Sequence, residues 1–334
     1  MNYIGSKLKL SNWLEAEITN VVGDSLSNKV FCDLFAGTGI VGRKFKTNVK
    51  QVIANDMEYY SYVLNRNYIG NHQTISKADE LLQELENLLP KEGFIYQNYC
   101  LGSGSERQYF SDENGKKIDS IRMQIEEWKN MHYIDEDTYY FLLATLLENA
   151  DKVANTASVY GAFLKNLKRS ALKPLSLEPA LFEINCNDHQ VYQMDANQLI
   201  KNISGDILYL DPPYNTRQYG ANYHMLNTIV FYDNFIPKGK TGLREYNRSK
   251  FCSKSEVISE FETLIKDANF KYIFLSYNNE GLMSVEQIRE IFERFGKYDL
   301  VQTEYQRFKS DKTENRDHKA NSTFEYLHIL EKSI

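Results

Sequence analysis

The chain has 334 residues, a formal net charge of −6, and 42% hydrophobic and 13% aromatic residues. That is enough apolar material for the core of one large domain or two, and it excludes both a disordered chain and a protein that coats nucleic acid through bulk positive charge. Four cysteines, Cys32, Cys100, Cys186 and Cys252, form no C-x-x-C pair, and no apolar stretch is long enough to span a membrane. The expectation is a cytoplasmic protein without a disulfide framework, a metal site or a membrane anchor.

In chain order, "MNYIGSKLKL" lacks the apolar run of a secretory leader. Short apolar runs then read as buried strands: "KVFCDLFA" (29–36), "QVIANDM" (51–57), "QVYQMD" (190–195), "DILYLDP" (206–212) and "YIFLSYN" (272–278). Helical patterns separate most of them, which predicts an α/β fold with a mostly parallel sheet. "YDLVQTEYQRF" (298–308) and "TFEYLHILE" (323–331) flank a polar loop and read as a closing antiparallel hairpin. Between about 72 and 185 the alternation stops. Helical periodicity at 76–89, 117–130 and 135–155 predicts a mainly helical insertion, with Asp119 or Asp135 as a candidate cap for the later two helices and 102–116 as an exposed loop. The chain therefore divides into 1–71, the insertion 72–185, and 186–334.

"FCDLFAGTGIVG" places Gly37, Gly39 and Gly42 as G-x-G-x-x-G between a strand and a helix. Glycines let backbone N–H groups approach a cofactor, and Asp56, at the end of the next strand, can accept both hydroxyls of an adenosine ribose. This suits a nicotinamide dinucleotide and any other adenosyl cofactor alike.

"ILYLDPPYNTRQYGANYH" (207–224) decides between them. Pro212 and Pro213 fix φ twice and remove two N–H donors. They hold the Asp211 carboxylate and the Pro212 carbonyl as acceptors at the sheet's carboxyl edge. Acceptors without donors suit an amino group. Hydrogen bonds from both N–H groups of an exocyclic adenine N6 draw the nitrogen toward sp³ and free its lone pair for in-line attack on a methyl sulfonium. Tyr214 offers a ring on which a flipped base can stack. A charged Asp directly after "ILYL" needs a partner in any case.

Together, "DPPY", the upstream "DLFAGTGIVG", and "NYIGSK" before both resemble the α-group, D12 or Dam-like, S-adenosylmethionine-dependent N6-adenine DNA methyltransferases. The order of the motifs is that of the family across nearly the whole chain. The resemblance implies a Rossmann-like methyltransferase domain made of 1–71 and 186–334, with 72–185 as the target-recognition domain. It implies S-adenosylmethionine as cofactor, double-stranded DNA as substrate, and leaves room for a cognate restriction endonuclease in the same system. Carried over residue by residue, Tyr3, Lys7, Asp33, Phe35, Ala36, Gly37, Gly39, Asp56, Asp195 and Ala196 match cofactor contacts, with Lys7 near the methionine carboxylate and Asp56 on the ribose. Asp211, Pro212, Pro213 and Tyr214 match the catalytic motif, Asp211 counting among the cofactor contacts as well. Asp as the first letter of that motif is usual for adenine. Ser is usual for N4-cytosine, and no cysteine here follows a proline as C5-cytosine chemistry requires.

For DNA, "YGAFLKNLKRSALKPL" (160–175) carries Lys165, Lys168, Arg169 and Lys173 with no acid. Arg217 and Gln218 follow DPPY closely. Arg244, Arg248 and Lys250 lie in a long basic loop, 237–254, that could clamp DNA beside the flipped base. The competing readings are an N4-cytosine or RNA-adenine amino-methyltransferase and a nicotinamide oxidoreductase.

Overall fold

The computed structural model describes residues 7–71, 73–306 and 322–333. Among them, seven strands make one mixed sheet in the order β3-β2-β1-β4-β5-β7-β6. β1 (Val30–Asp33), β2 (Gln51–Asn55), β3 (Gln190–Tyr192), β4 (Ser204–Leu210) and β5 (Asn269–Asn278) are parallel. They fall on the five apolar runs; all but the half-buried edge strand β3 are largely buried, and a strand covered on both faces reads as a continuous hydrophobic stretch. β6 (Gly296–Gln306) and β7 (Ser322–Lys332) pair antiparallel, as expected of the closing hairpin, and β7 also pairs antiparallel with β5. β7 therefore lies between β5 and β6. From β1 the chain winds outward through β2 to β3, then returns to β4 on the other side of β1. In sheets of this kind the reversal point, here at the carboxyl ends of β1 and β4, is where ligands bind.

The chain clusters into two units, and the sheet lies wholly in the one formed by 6–57, 185–218 and 247–334. Its core is laid on by amphipathic helices. Helix Val257–Asp267 buries Phe261, Leu264 and Ile265, and helix Val285–Glu293 buries Ile288, Ile291 and Phe292, the same i, i+3, i+4 stripe in both. These side chains share one cluster with Leu208, Leu210, Ile273, Leu275 and Leu330 of the sheet. Ser284 and Gln287 form a capping box that fixes where the second helix begins.

The other unit, among described residues, comprises 58–71, 73–184 and 219–246. It is helical, as predicted, but it starts before 72 and takes in a segment after DPPY. Helix His224–Phe231 reads in sequence like more of the sheet domain. Instead Asn227 accepts from Tyr60 N (2.9 Å) and donates to Glu58 (2.6 Å), and Phe231 stacks on Tyr59. Two local expectations also change. The helix expected from 117 begins at Asp112, capped by Ser111, which accepts from Asn114 N. The stretch 102–116 is thus an exposed loop only in part: Tyr109 and Phe110 are buried, and the polar run from Asp112 is a first helical turn with acids where the helix dipole favours them. Asp119 caps a different helix: its carboxylate accepts from Gly93, Ile95 and Tyr96 N–H groups at Phe94–Tyr99, while Asp135 does cap Glu136–Val153.

Candidate active site

The carboxyl ends of β1, β2 and β4 each carry an acid: Asp33 ends β1, Asp56 follows β2 and Asp211 follows β4. After β1 the chain turns through Gly37 (φ 53°) and Gly39 (φ 74°), both in the left-handed region that a side chain disfavours. Two acids brace this turn. Asp56 Oδ2 accepts from Gly37 N at 2.9 Å, and Asp33 Oδ2 accepts from Gly42 N at 3.0 Å. Asp33 is 1% exposed, and its Oδ1 has no hydrogen-bond partner among the described residues. Burial pushes its carboxyl up to about 8; the Gly42 N–H opposes the shift, and Asp211 and Asp56 add to it. Phe35, in the same turn, sets its ring edge against Phe251, and Ala36 N donates to Asn55 O at 2.9 Å. Beyond β3, Asp195 caps the short helix Ala196–Leu199, and Ala196 is buried.

At the end of β4, Asp211 enters a cluster with Lys7, Tyr214 and Glu325. Lys7 Nζ lies 3.0 Å from both Asp211 Oδ1 and Glu325 Oε1 and also donates to the Tyr214 hydroxyl. That hydroxyl donates to Asp211 Oδ1 (2.6 Å) and reaches Glu325 Oε1 (3.0 Å), while Ser276 Oγ donates to Glu325 Oε1 at 2.7 Å. Both described donors to Asp211 thus meet Oδ1, and no described residue donates to Oδ2. Burial would lower the Lys7 ammonium, but the two carboxylates outweigh it and hold the group above its ordinary range. Burial raises the Asp211 carboxyl, Lys7 pulls it down and Glu325 pushes it up. The Tyr214 ring sits with Lys7 Nζ 4.8 Å from its centroid and its edge toward Tyr277, and burial keeps its hydroxyl protonated. Lys7 is thus held between two carboxylates, Asp211 and Glu325, while Asp33 and Asp56 stand at the carboxyl ends of β1 and β2.

A sequence pattern for D12 class N6 adenine-specific DNA methyltransferases matches residues 3–291. The chain belongs to that family. It is 85% identical over 334 residues to the type II methyltransferase M.NlaIII of Neisseria lactamica, covering all of both chains. It is 38% identical to the type II methyltransferase M.CviAII of Paramecium bursaria Chlorella virus 1, over 93% of each. It is 40% identical to M.FokI of Planomicrobium okeanokoites, of which it spans 53%.

The methyltransferase uses S-adenosylmethionine, and the nicotinamide reading falls. The residues present fit that cofactor: the unpartnered, buried Asp33 Oδ1 suits an ammonium, and the turn beside Asp56 carries no side chain at Gly37 and Gly39. Lys7 stands on Asp211 and Glu325, with its ammonium already shared between them. Tyr3 lies outside the described residues. Glu325 was not among the residues singled out in the sequence, though a signal exists. It shares a strand face with Leu327 and Ile329, and an acid on a buried face needs a partner.

The basic residues divide by partner. Residues 160–175 form turns and irregular backbone, and Lys165, Arg169 and Lys173 are exposed there. Lys168 is different: its Nζ donates to Thr156 O at 2.8 Å, and burial lowers its pKa. Arg244 is clamped on both carboxylate oxygens of Asp233 (2.9 and 3.0 Å) and packs over Phe231 and Phe235. Lys250 pairs with Glu260 at 2.8 Å. Gln218 uses both ends of its amide on the Ser249 backbone. Arg217 and Arg248 are exposed.

Proposed function

We propose that this enzyme is the modification methyltransferase of a type II restriction–modification system, working in the cytoplasm alongside a cognate endonuclease, and that it methylates an adenine turned out of duplex DNA. The similarity to M.NlaIII over the full length of both chains supports the assignment to such a system. The observation that carries the site assignment is Asp211. One oxygen is held by Lys7 and Tyr214, the other faces no described donor, and the group stands at the sheet's reversal point.

Asp211 Oδ2 and the Pro212 carbonyl accept the two hydrogens of N6 and fix the direction of its lone pair. When bound, S-adenosylmethionine would supply the methyl group, its S–C bond breaking as the N6–C bond forms, with the neutral thioether leaving and one N6 proton passing to solvent. Asp33, the turn Phe35–Gly39, Asp56, Asp195, Ala196 and Asp211 would hold the cofactor. Pro213 keeps the motif free of a competing N–H donor. The half-buried Tyr214 ring forms one wall for the base. The helical unit, with Lys165, Arg169 and Lys173 exposed on 160–175, is the target-recognition domain, and Arg217 and Arg248 add phosphate contacts.

The test is single-turnover transfer of labelled methyl to unmethylated genomic DNA, with the product nucleosides resolved by mass spectrometry. Wild type should yield N6-methyladenine. Asp211→Ala should still bind duplex DNA and cofactor and lose about 10²–10³ in rate, the usual effect of removing one preorganised contact. A near wild-type rate for that variant would sink the assignment.

A further inference from the structure

We propose that Glu325 is a positioning residue for methyl transfer: its carboxylate shares the Lys7 ammonium, so that an ionised Asp211 is not wholly neutralised and presents net negative charge to the adenine amine.

The argument is one of charge. Lys7 Nζ stands equidistant, 3.0 Å, from Asp211 Oδ1 and Glu325 Oε1. Lys7 and Glu325 are nearly inaccessible, at 5% and 6%, while Asp211 is 19% exposed, so only Asp211 of the three opens toward an incoming ligand. With Asp211 as its only partner, Lys7 would form a neutral pair with it, and a neutralised carboxylate is a weak acceptor. With Glu325 present, the trio carries one net negative charge when all three are ionised. That charge is aimed where N6 becomes positive, in a site of low dielectric where it acts strongly. The fold pins Glu325 in place. It pairs across to Asn278 at the carboxyl end of β5, beside the carboxyl end of β4, because β7 enters the sheet antiparallel. Ser276 Oγ, from β5, fixes its Oε1. Nothing about packing requires an acid at this position, which shares its strand face with Leu327 and Ile329.

This inference rests on Asp211 as the acceptor for N6, and the experiment separates the two. Single-turnover rates are measured from pH 5 to 9 for wild type, Asp211→Ala, Glu325→Gln and Glu325→Asp, with S-adenosylmethionine affinity and thermal midpoint determined for each. Glu325→Gln keeps shape and hydrogen bonding and removes the charge. It should lose about tenfold to a hundredfold in rate, less than a direct contact, with cofactor affinity changed less than threefold. The groups facing Asp211 are Lys7, Glu325, Tyr214, Tyr209 and Asp33. Glu325 raises its carboxyl, so the acid limb of the Glu325→Gln profile should move to lower pH. Glu325→Asp, which restores the charge, should recover part of the rate. If Asp211→Ala is inactive and Glu325→Gln runs at the wild-type rate, the inference fails while the site assignment stands. If Glu325→Gln is slow with an unmoved acid limb and a lowered thermal midpoint, Glu325 is only structural and the inference fails. If Asp211→Ala is itself fast, the site assignment fails and this inference with it.

Discussion

Asp33 is an acid kept under the glycine turn at a cost. Its carboxyl is pushed up to about 8, so at neutral pH the cofactor-free protein holds a proton there that the unfolded chain, with an ordinary carboxyl, has released. The folded state binds more protons than the unfolded between about pH 4 and 8, so this group makes stability fall as pH rises through that window, by up to roughly 1.4 kcal/mol per pH unit. Asp33→Asn removes the titration. The variant should gain on wild type in thermal midpoint from pH 5 to pH 8, and equal offsets at both pH values would contradict the assignment. Asp56→Ala acts on the ligand instead. Losing a charged hydrogen bond to the ribose should weaken S-adenosylmethionine binding by about 1.5–3 kcal/mol by calorimetry, and part of that loss comes from releasing Gly37 N–H. These acids were legible in the sequence because each ends an apolar run, where a charge is conspicuous. Glu325 was not, since its partners Lys7, Asp211, Tyr214 and Ser276 come from three distant segments. Arg244, Lys168 and Gln218 show the opposite failure: a basic or amide side chain reads the same in sequence whether it faces phosphate or is spent on Asp233, Thr156 or Ser249.

At the level of elements, the central strands were legible because burial on both faces writes a continuous apolar run, and the hairpin because two strand-like segments flank a polar loop. The start of helix Asp112–Asn130 was hidden by polar first-turn residues that composition alone assigns to a loop. Gly115 within it illustrates a constraint that no periodicity shows. A Cβ there would overlap Cys100 Sγ, so Gly115→Ala should lower stability by about 1–3 kcal/mol, read as the denaturant midpoint. The segment 160–175 was expected to interact through four cations, and the structure leaves three of them exposed. Arg169→Gln should therefore weaken binding to every DNA sequence and reduce the salt slope by about one unit. Lys168→Gln should instead lower the thermal midpoint with little change in that slope. A Lys168 variant that behaved like Arg169→Gln would assign it to the phosphate set.

For the molecule as a whole, a net charge of −6 means that affinity for DNA is carried by a few local cations. With Lys165, Arg169, Lys173, Arg217 and Arg248 each neutralising one phosphate, the slope of log affinity against log salt should be roughly −4 to −5. A much steeper slope in filter binding would require further contacts. The position of β7 has a consequence for synthesis. The strand lies between β5 and β6, and among the described residues β6 has no other neighbour in the sheet. A nascent chain that has left the ribosome only through β6 thus exposes an unpaired β5 edge and a strand with nothing to join. It also lacks Glu325, the partner that Lys7, made at the outset, has been waiting for. A chain stopped after residue 321 should be recovered in the insoluble fraction and leave cellular DNA unmethylated. Interrupted translation would then yield aggregates for proteases to clear, and no half-made enzyme free to mark the genome.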